Sequence, residues 1–319
     1  MVLRALLIVV LAAVPLAAAA PQGGTLVAFV SAEAEDRLVV VQPITGQVFA
    51  RVRMPRGPHN VAASERAVVV TSPPAGAVTI LDPRSYRVLA VIHGFGSPHD
   101  VELAPDGLYA YVTDERRGQV AVLSLTTRRV VRRVDVGAGP HDLAVGSGGE
   151  RVWVTHGPRA HKLTVLDTER PSRARVVRRL QAGGAAHDIA ADPDGTRFYV
   201  TYWHAPYVAA LARSGRLLYR VRLGTEPHHV ATDGLRLWIA DHAAGHAYVL
   251  DARTGTRLFS APAGAGAHHV DVEAGVAVAV SHDAGTATAM YADARNLGDR
   301  ARVTRIGRGL HGVALVFNP

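Results

Sequence analysis

Apolar and polar residues alternate along most of this chain in runs of about six, each closed by glycine, proline, aspartate or asparagine. Such runs predict short β-strands joined by tight turns. Between His99 and Ala138 the pattern is complete: Asp100-Val101-Glu102-Leu103-Ala104 reads as a half-buried strand and Pro105-Asp106-Gly107 as a turn. Tyr109–Thr113, Gln119–Leu123 and Val130–Val136 follow as three further strands, with the polar loop Asp114-Glu115-Arg116-Arg117-Gly118 after the first of them. Four strands and three hairpins fill this segment and leave no room for a helix.

The same unit recurs. A histidine precedes the first strand at His59, His99, His141, His187, His228, His268 and His311, at intervals of 40, 42, 46, 41, 40 and 43 residues. Turns return as Pro193-Asp194-Gly195, Thr232-Asp233-Gly234 and Asp251-Ala252-Arg253-Thr254-Gly255. This period and content predict an all-β, seven-bladed propeller with four antiparallel strands per blade, whose seven histidines meet at one end of a central channel. Thr25–Val30 reads as a second-strand word with no histidine strand before it, and His311–Phe317 as a first strand with nothing after it. One blade is therefore expected to combine both termini, which closes the ring and removes free sheet edges.

Words such as Gly139-Pro140-His141-Asp142-Leu143-Ala144-Val145, Ala190-Ala191-Asp192-Pro193-Asp194-Gly195 and Tyr199-Val200-Thr201 resemble the repeats of the YVTN-type (YncE-like) β-propeller family over residues 25 to 317. The resemblance implies the fold, and it leaves function open because that scaffold hosts unrelated activities.

Residues 1–20 stand apart from the repeats. Met1-Val2-Leu3-Arg4, an apolar run from Leu6 to Leu16 and Ala17-Ala18-Ala19-Ala20 describe a secretory signal peptide. Residues 21–319 are then one exported domain, periplasmic or secreted, with no transmembrane segment after cleavage and expected as a monomer. The chain contains no cysteine, which excludes disulfides, thiolate metal sites and cysteine nucleophiles. Any metal must be held by nitrogen and oxygen. The net charge of +8 comes almost wholly from arginines such as Arg128, Arg129, Arg132 and Arg133, alternating with valine on expected outer strands. That pattern reads as a solvated surface, and the sparse aromatics argue against nucleic acid as a partner.

The sixteen histidines are the candidate chemistry. One per blade is expected from structure alone, with each ring histidine bonding a Ser/Thr hydroxyl at the end of a second strand; Ser31, Thr71, Thr113, Thr155, Thr201 and Ser281 supply the hydroxyls and Ala240 breaks the series. The additional histidines do not repeat evenly. His156, His204, His242 and His282 follow second strands, and His229 and His269 double the ring in two blades. Imidazole and carboxylate groups suit zinc or copper. A subset of His228, His229, His242, His268, His269, His282 and His204, with Asp241, is therefore the expected metal site, and Asp142 or Asp188 would orient imidazoles from behind.

Two further resemblances bear on this reading. Nitrous oxide reductases set copper on histidines at a propeller mouth but also carry cysteine ligands, absent here. Exported propellers similar to this one serve as zinc-binding chaperones for metal-uptake systems, which implies metal storage or delivery and a metal-transport or other exported protein as partner. The alternatives are a protein- or ligand-binding propeller without metal, and a metal-assisted lyase or lactonase using Glu115, Glu226, His204, Asp241 or Asp283.

Overall fold

The structure, a computed structural model, describes residues 24–291 and 301–318. The expected signal peptide lies outside the described residues. Seven four-stranded antiparallel sheets stand around a channel. In the blade that follows His99 the strands are Pro98–Leu103, Tyr109–Asp114, Gln119–Ser124 and Arg129–Asp135, in that order from the channel outward.

The first blade is the composite one. Leu310–Asn318 is its inner strand and pairs with Thr25–Ala32, which pairs with Arg37–Gln42 and then Gln47–Arg53. Thr25 lies opposite Asn318 and Val30 opposite Val313 in antiparallel register. Blades two to seven follow in chain order. Among the described residues only three single-turn 3-10 helices occur, and no helix is long and apolar enough to cross a membrane.

Both faces of each blade are covered by its neighbours, so middle strands bury consecutive residues. Val68, Val69 and Val70 are all fully buried for this reason. The apolar core is correspondingly split into seven clusters, one at each junction between blades: Val30 and Val39 pack on Val278 and Val280, and Trp153 packs beside Phe198. Outer strands have one water-facing side: on Arg129–Asp135, Arg129, Val131 and Arg132 are exposed and Val134 is buried, the strict alternation being broken by a register shift at Val131.

The blades are also tied at the channel by hydroxyls. Thr113 Oγ1 accepts the Asp100 N–H at 2.9 Å from its own blade and donates to the His141 carbonyl of the next at 2.7 Å. Thr155 bridges the Asp142 N–H (2.9 Å) to the His187 carbonyl (2.7 Å), and Thr201 bridges Asp188 to His228 at 3.2 and 2.8 Å. Thr71 does the same between Asn60 and His99, and Ser31 between Gly312 and His59. Ala240 has no hydroxyl to offer, and Ser281 donates instead to Ala265.

The expected partner for these hydroxyls was the imidazole. The structure corrects this: the ring histidine contributes its backbone carbonyl, and its side chain is left for other contacts.

Thr113→Val keeps the shape of the side chain but strands a buried N–H and weakens a buried carbonyl. A loss of about 1–3 kcal/mol of stability is expected in chemical denaturation, whereas an unchanged midpoint would show that the bridge contributes nothing.

Candidate metal centre

Each inner strand enters the channel at its histidine, and seven imidazoles close into a ring of direct contacts. Going round, ring-centroid separations are 4.5 Å for His59–His99, 3.9 Å for His99–His141, 4.8 Å for His141–His187 and 4.2 Å for His187–His228. His228–His268 at 4.0 Å, His268–His311 at 3.9 Å and His311–His59 at 3.4 Å complete the circle. Trp203 stands edge-on to His141 and His187 at 4.8 and 4.1 Å and walls one side of the small cavity, about 130 Å³, that the ring encloses.

Seven imidazoles in contact cannot all carry protons. Burial, and then the charge of neighbouring histidines, pushes His59, His228, His268 and His311 well below the usual histidine range, and His187 down to about 3. His99 goes the other way, to about 9: burial opposes its charge, but the Asp142 carboxylate outweighs it. Asp142 in turn is held well below the carboxylate range, against burial, by His141 and His99.

A neutral imidazole has one lone pair free for a ligand. His187 and His228 commit Nδ1 to the carbonyls of His228 and His268, at 3.0 and 3.2 Å, which leaves Nε2 as the free nitrogen. At His59, His99, His141 and His268 the buried Nδ1 has no hydrogen-bond partner. Asp142 Oδ1 is 3.4 Å from His99 Nδ1 and Asp142 Oδ2 is 3.1 Å from His141 Nδ1, so the carboxylate is the charge partner of both imidazoles.

Among the described residues, two groups of three bring ligand atoms within 4.8 Å of one another: His99, His141 and Asp142, and Glu33, His59 and His311. Donors around one zinc ion at about 2.0–2.1 Å stand roughly 3.3 Å apart. Neither group contains a residue of the set expected from the uneven histidines.

Those residues are placed as follows. His228 and His268 belong to the ring, with His242 at 5.7 Å from each and His282 at 6.3 Å from His268. His282 pairs with Asp283 at 2.9 Å. His229 and His269 stack on each other at 3.3 Å beneath the ring. They also line a second cavity of about 310 Å³, with Asp100, Glu102, Asp188 and Asp271 on its wall. His204 is exposed, 3.9 Å from Glu226. Asp241 is fully buried and accepts the N–H groups of Thr225, Glu226 and Ala244 at 2.8–3.0 Å, so its oxygens hold a loop. His156 is likewise buried, bonding the Ala138 carbonyl and Thr164 Oγ1.

Sequence reasoning passed over His99 and His141 as members of a regular series, and over Glu33 and Trp203 as ligand or wall. The signal for Asp142 was present, since the Pro-His-Asp word occurs only at His99 and His141.

A family model described as Arylesterase matches residues 65–201, less than half of the chain. Solved structures share the fold at low identity. A functionally unknown protein from Desulfotomaculum acetoxidans is 13% identical with a TM-score of 0.78, covering 92% of this chain and 99% of its own. Apo AztD from Citrobacter koseri is 12% identical with a TM-score of 0.71, covering 93% and 99%. The hydrazine synthase of Kuenenia stuttgartiensis is 17% identical with a TM-score of 0.67, covering 87% and 92%. A search among curated proteins gives no match.

The depressed histidines set a pH dependence. Unfolded histidine takes up a proton near about 6.5, whereas His187 in the fold does so only near 3. The unfolded state therefore binds more protons between these values. The contribution of His187 to stability is complete above the higher value and is lost as pH falls toward the lower one. Denaturation of the metal-free protein at pH 7 and 4.5 is expected to show a smaller loss for His187→Gln than for wild type, by up to about 1.4 kcal/mol per pH unit. Equal losses would contradict a neutral His187.

Proposed function

We propose that this chain is an exported propeller that binds a divalent transition metal, zinc or copper, at the histidine mouth of its channel, for storage or for delivery to a metal-transport or other exported partner. The observation that carries this reading is the convergence of His99 Nδ1 and His141 Nδ1 on the Asp142 carboxylate, at 3.4 and 3.1 Å. Two imidazoles and one carboxylate, with a fourth position left for water or a neighbouring imidazole, form a donor set that zinc and copper accept. A bound cation would take the place of the proton that His99 now carries. The negative charge of Asp142 is then used twice, once to hold that proton and once to hold the metal.

Export and monomeric state are part of the proposal. The apolar run before residue 20 supports export, and with no cysteine in the chain the site can use only nitrogen and oxygen donors.

Metal binding to the folded state must stabilise it. At a free zinc concentration a hundred times Kd the gain is about 2.7 kcal/mol, read as a raised melting temperature. His141→Ala combined with Asp142→Asn is expected to weaken binding at this group at least tenfold in a competition assay with a chromogenic chelator. Metal-free wild type whose melting is unmoved by either zinc or copper would overturn the reading.

A second reading has two observations in its favour. The partial match to the Arylesterase model, together with Glu115 Oε1 at 3.9 Å from His141 Nε2, fits metal-assisted ester hydrolysis with Glu115 as general base. Turnover of an aryl acetate that is lost on adding chelator and on Glu115→Gln would support it; absence of turnover in zinc-loaded protein would remove it.

A further inference from the structure

The second ligand group lies on the other side of the ring, where the chain closes on itself. Glu33 follows the strand Thr25–Ala32 and opens the 3-10 turn Glu33–Glu35. Its N–H donates to the Gly309 carbonyl at 2.8 Å, two residues before His311. Two residues earlier, Ser31 Oγ accepts the Gly312 N–H at 2.7 Å and donates to the His59 carbonyl. One short segment is thereby pinned to the strand of His311 and to the strand of His59 at once.

The result is a carboxylate held at the two most closely stacked imidazoles of the ring, with centroids 3.4 Å apart. His59 Nδ1 is buried and unpartnered, and His311 commits Nδ1 to Asn60 Oδ1 at 3.2 Å, which leaves Nε2 free. No hydrogen bond or ion pair engages the Glu33 carboxylate among the described residues. Glu33, His59 and His311 share no residue with the first group.

We propose that the ring holds two divalent transition-metal ions, the second bound by Glu33, His59 and His311. The inference rests on the preceding reading for the class of metal, and on its own residues for the site. His59 and Glu33 are both partly open to solvent, whereas two of the three members of the first group are buried, so the second ion is the faster to exchange. The two groups adjoin through His59 and His99, 4.5 Å apart, and two dications this near repel each other. Filling is therefore sequential, and the second ion binds more weakly than the first. A carboxylate supplied by the closing segment also makes this site depend on the joined termini, which no other blade does.

Native mass spectrometry of the full exported chain titrated with zinc tests this. Wild type is expected to take two ions, Glu33→Gln one and Asp142→Asn one, with melting in the metal-free state unchanged for Glu33→Gln. Wild type that takes a single ion, lost on Asp142→Asn and kept on Glu33→Gln, overturns the second site and leaves the first standing. A single ion lost on Glu33→Gln and kept on Asp142→Asn keeps the second site and removes the first. Two ions in wild type that persist in Glu33→Gln overturn the assignment of Glu33, and no ion in wild type overturns both sites.

Discussion

Most of the channel mouth is set by what the bridging hydroxyls do with the backbone. A threonine or serine at the end of a second strand satisfies one N–H of its own blade and one carbonyl of the next, at five of the seven junctions. Because the histidine gives up its carbonyl to this bond, the entrance of five of the seven inner strands is fixed without using the imidazole. The imidazoles touch at all seven junctions, including the two without a bridge, where His228–His268 and His268–His311 stand 4.0 and 3.9 Å apart. A ring of imidazoles in mutual contact is thus a consequence of blade geometry; His187, His228 and His311 use Nδ1 to tie neighbouring strands, and their Nε2 is left over.

Contact then decides charge. Burial and mutual repulsion keep most of the ring neutral, so its nitrogens are lone-pair donors. One place breaks the pattern, where Asp142 lies against both His99 and His141 and holds a proton on His99. A site that already retains one positive charge in a low-dielectric mouth is suited to exchanging it for a metal ion. Asp100 and Asp188, which look equivalent in the sequence, differ because their oxygens accept the backbone N–H groups of Leu143 and Val230 at 2.9 and 2.6 Å. Identical residue types at equivalent positions therefore serve as struts in two blades and as the charge partner of two imidazoles in a third.

The fold was legible almost completely. Strand alternation, turn residues and the histidine period gave the blade count, and the strands of the blade after His99 fall within two residues of their expected bounds at either end. The composite blade was legible too, because a word missing at one terminus was present at the other. The site was read only in part. Uneven histidines such as His204 and His242 drew attention as departures from symmetry, yet exposure or distance keeps them out of the groups of three whose ligand atoms converge. The residues that do converge are members of the regular series, and what distinguishes them is a carboxylate reaching in from elsewhere: Asp142 across a blade junction, Glu33 across the seam between the termini. Which acid reaches which imidazole depends on side-chain direction and on the paths of neighbouring backbones, and spacing in one sequence carries neither.

Binding of a metal ion by the imidazoles beside Asp142 can be seen crystallographically. Diffraction from crystals of zinc-loaded protein, recorded on both sides of the zinc absorption edge, tests it most directly. The account predicts an anomalous peak between His99, His141 and Asp142, with nitrogen and oxygen donors at about 2.0–2.2 Å. A peak confined to the outer histidines His242 and His282, or none at the ring, would contradict it.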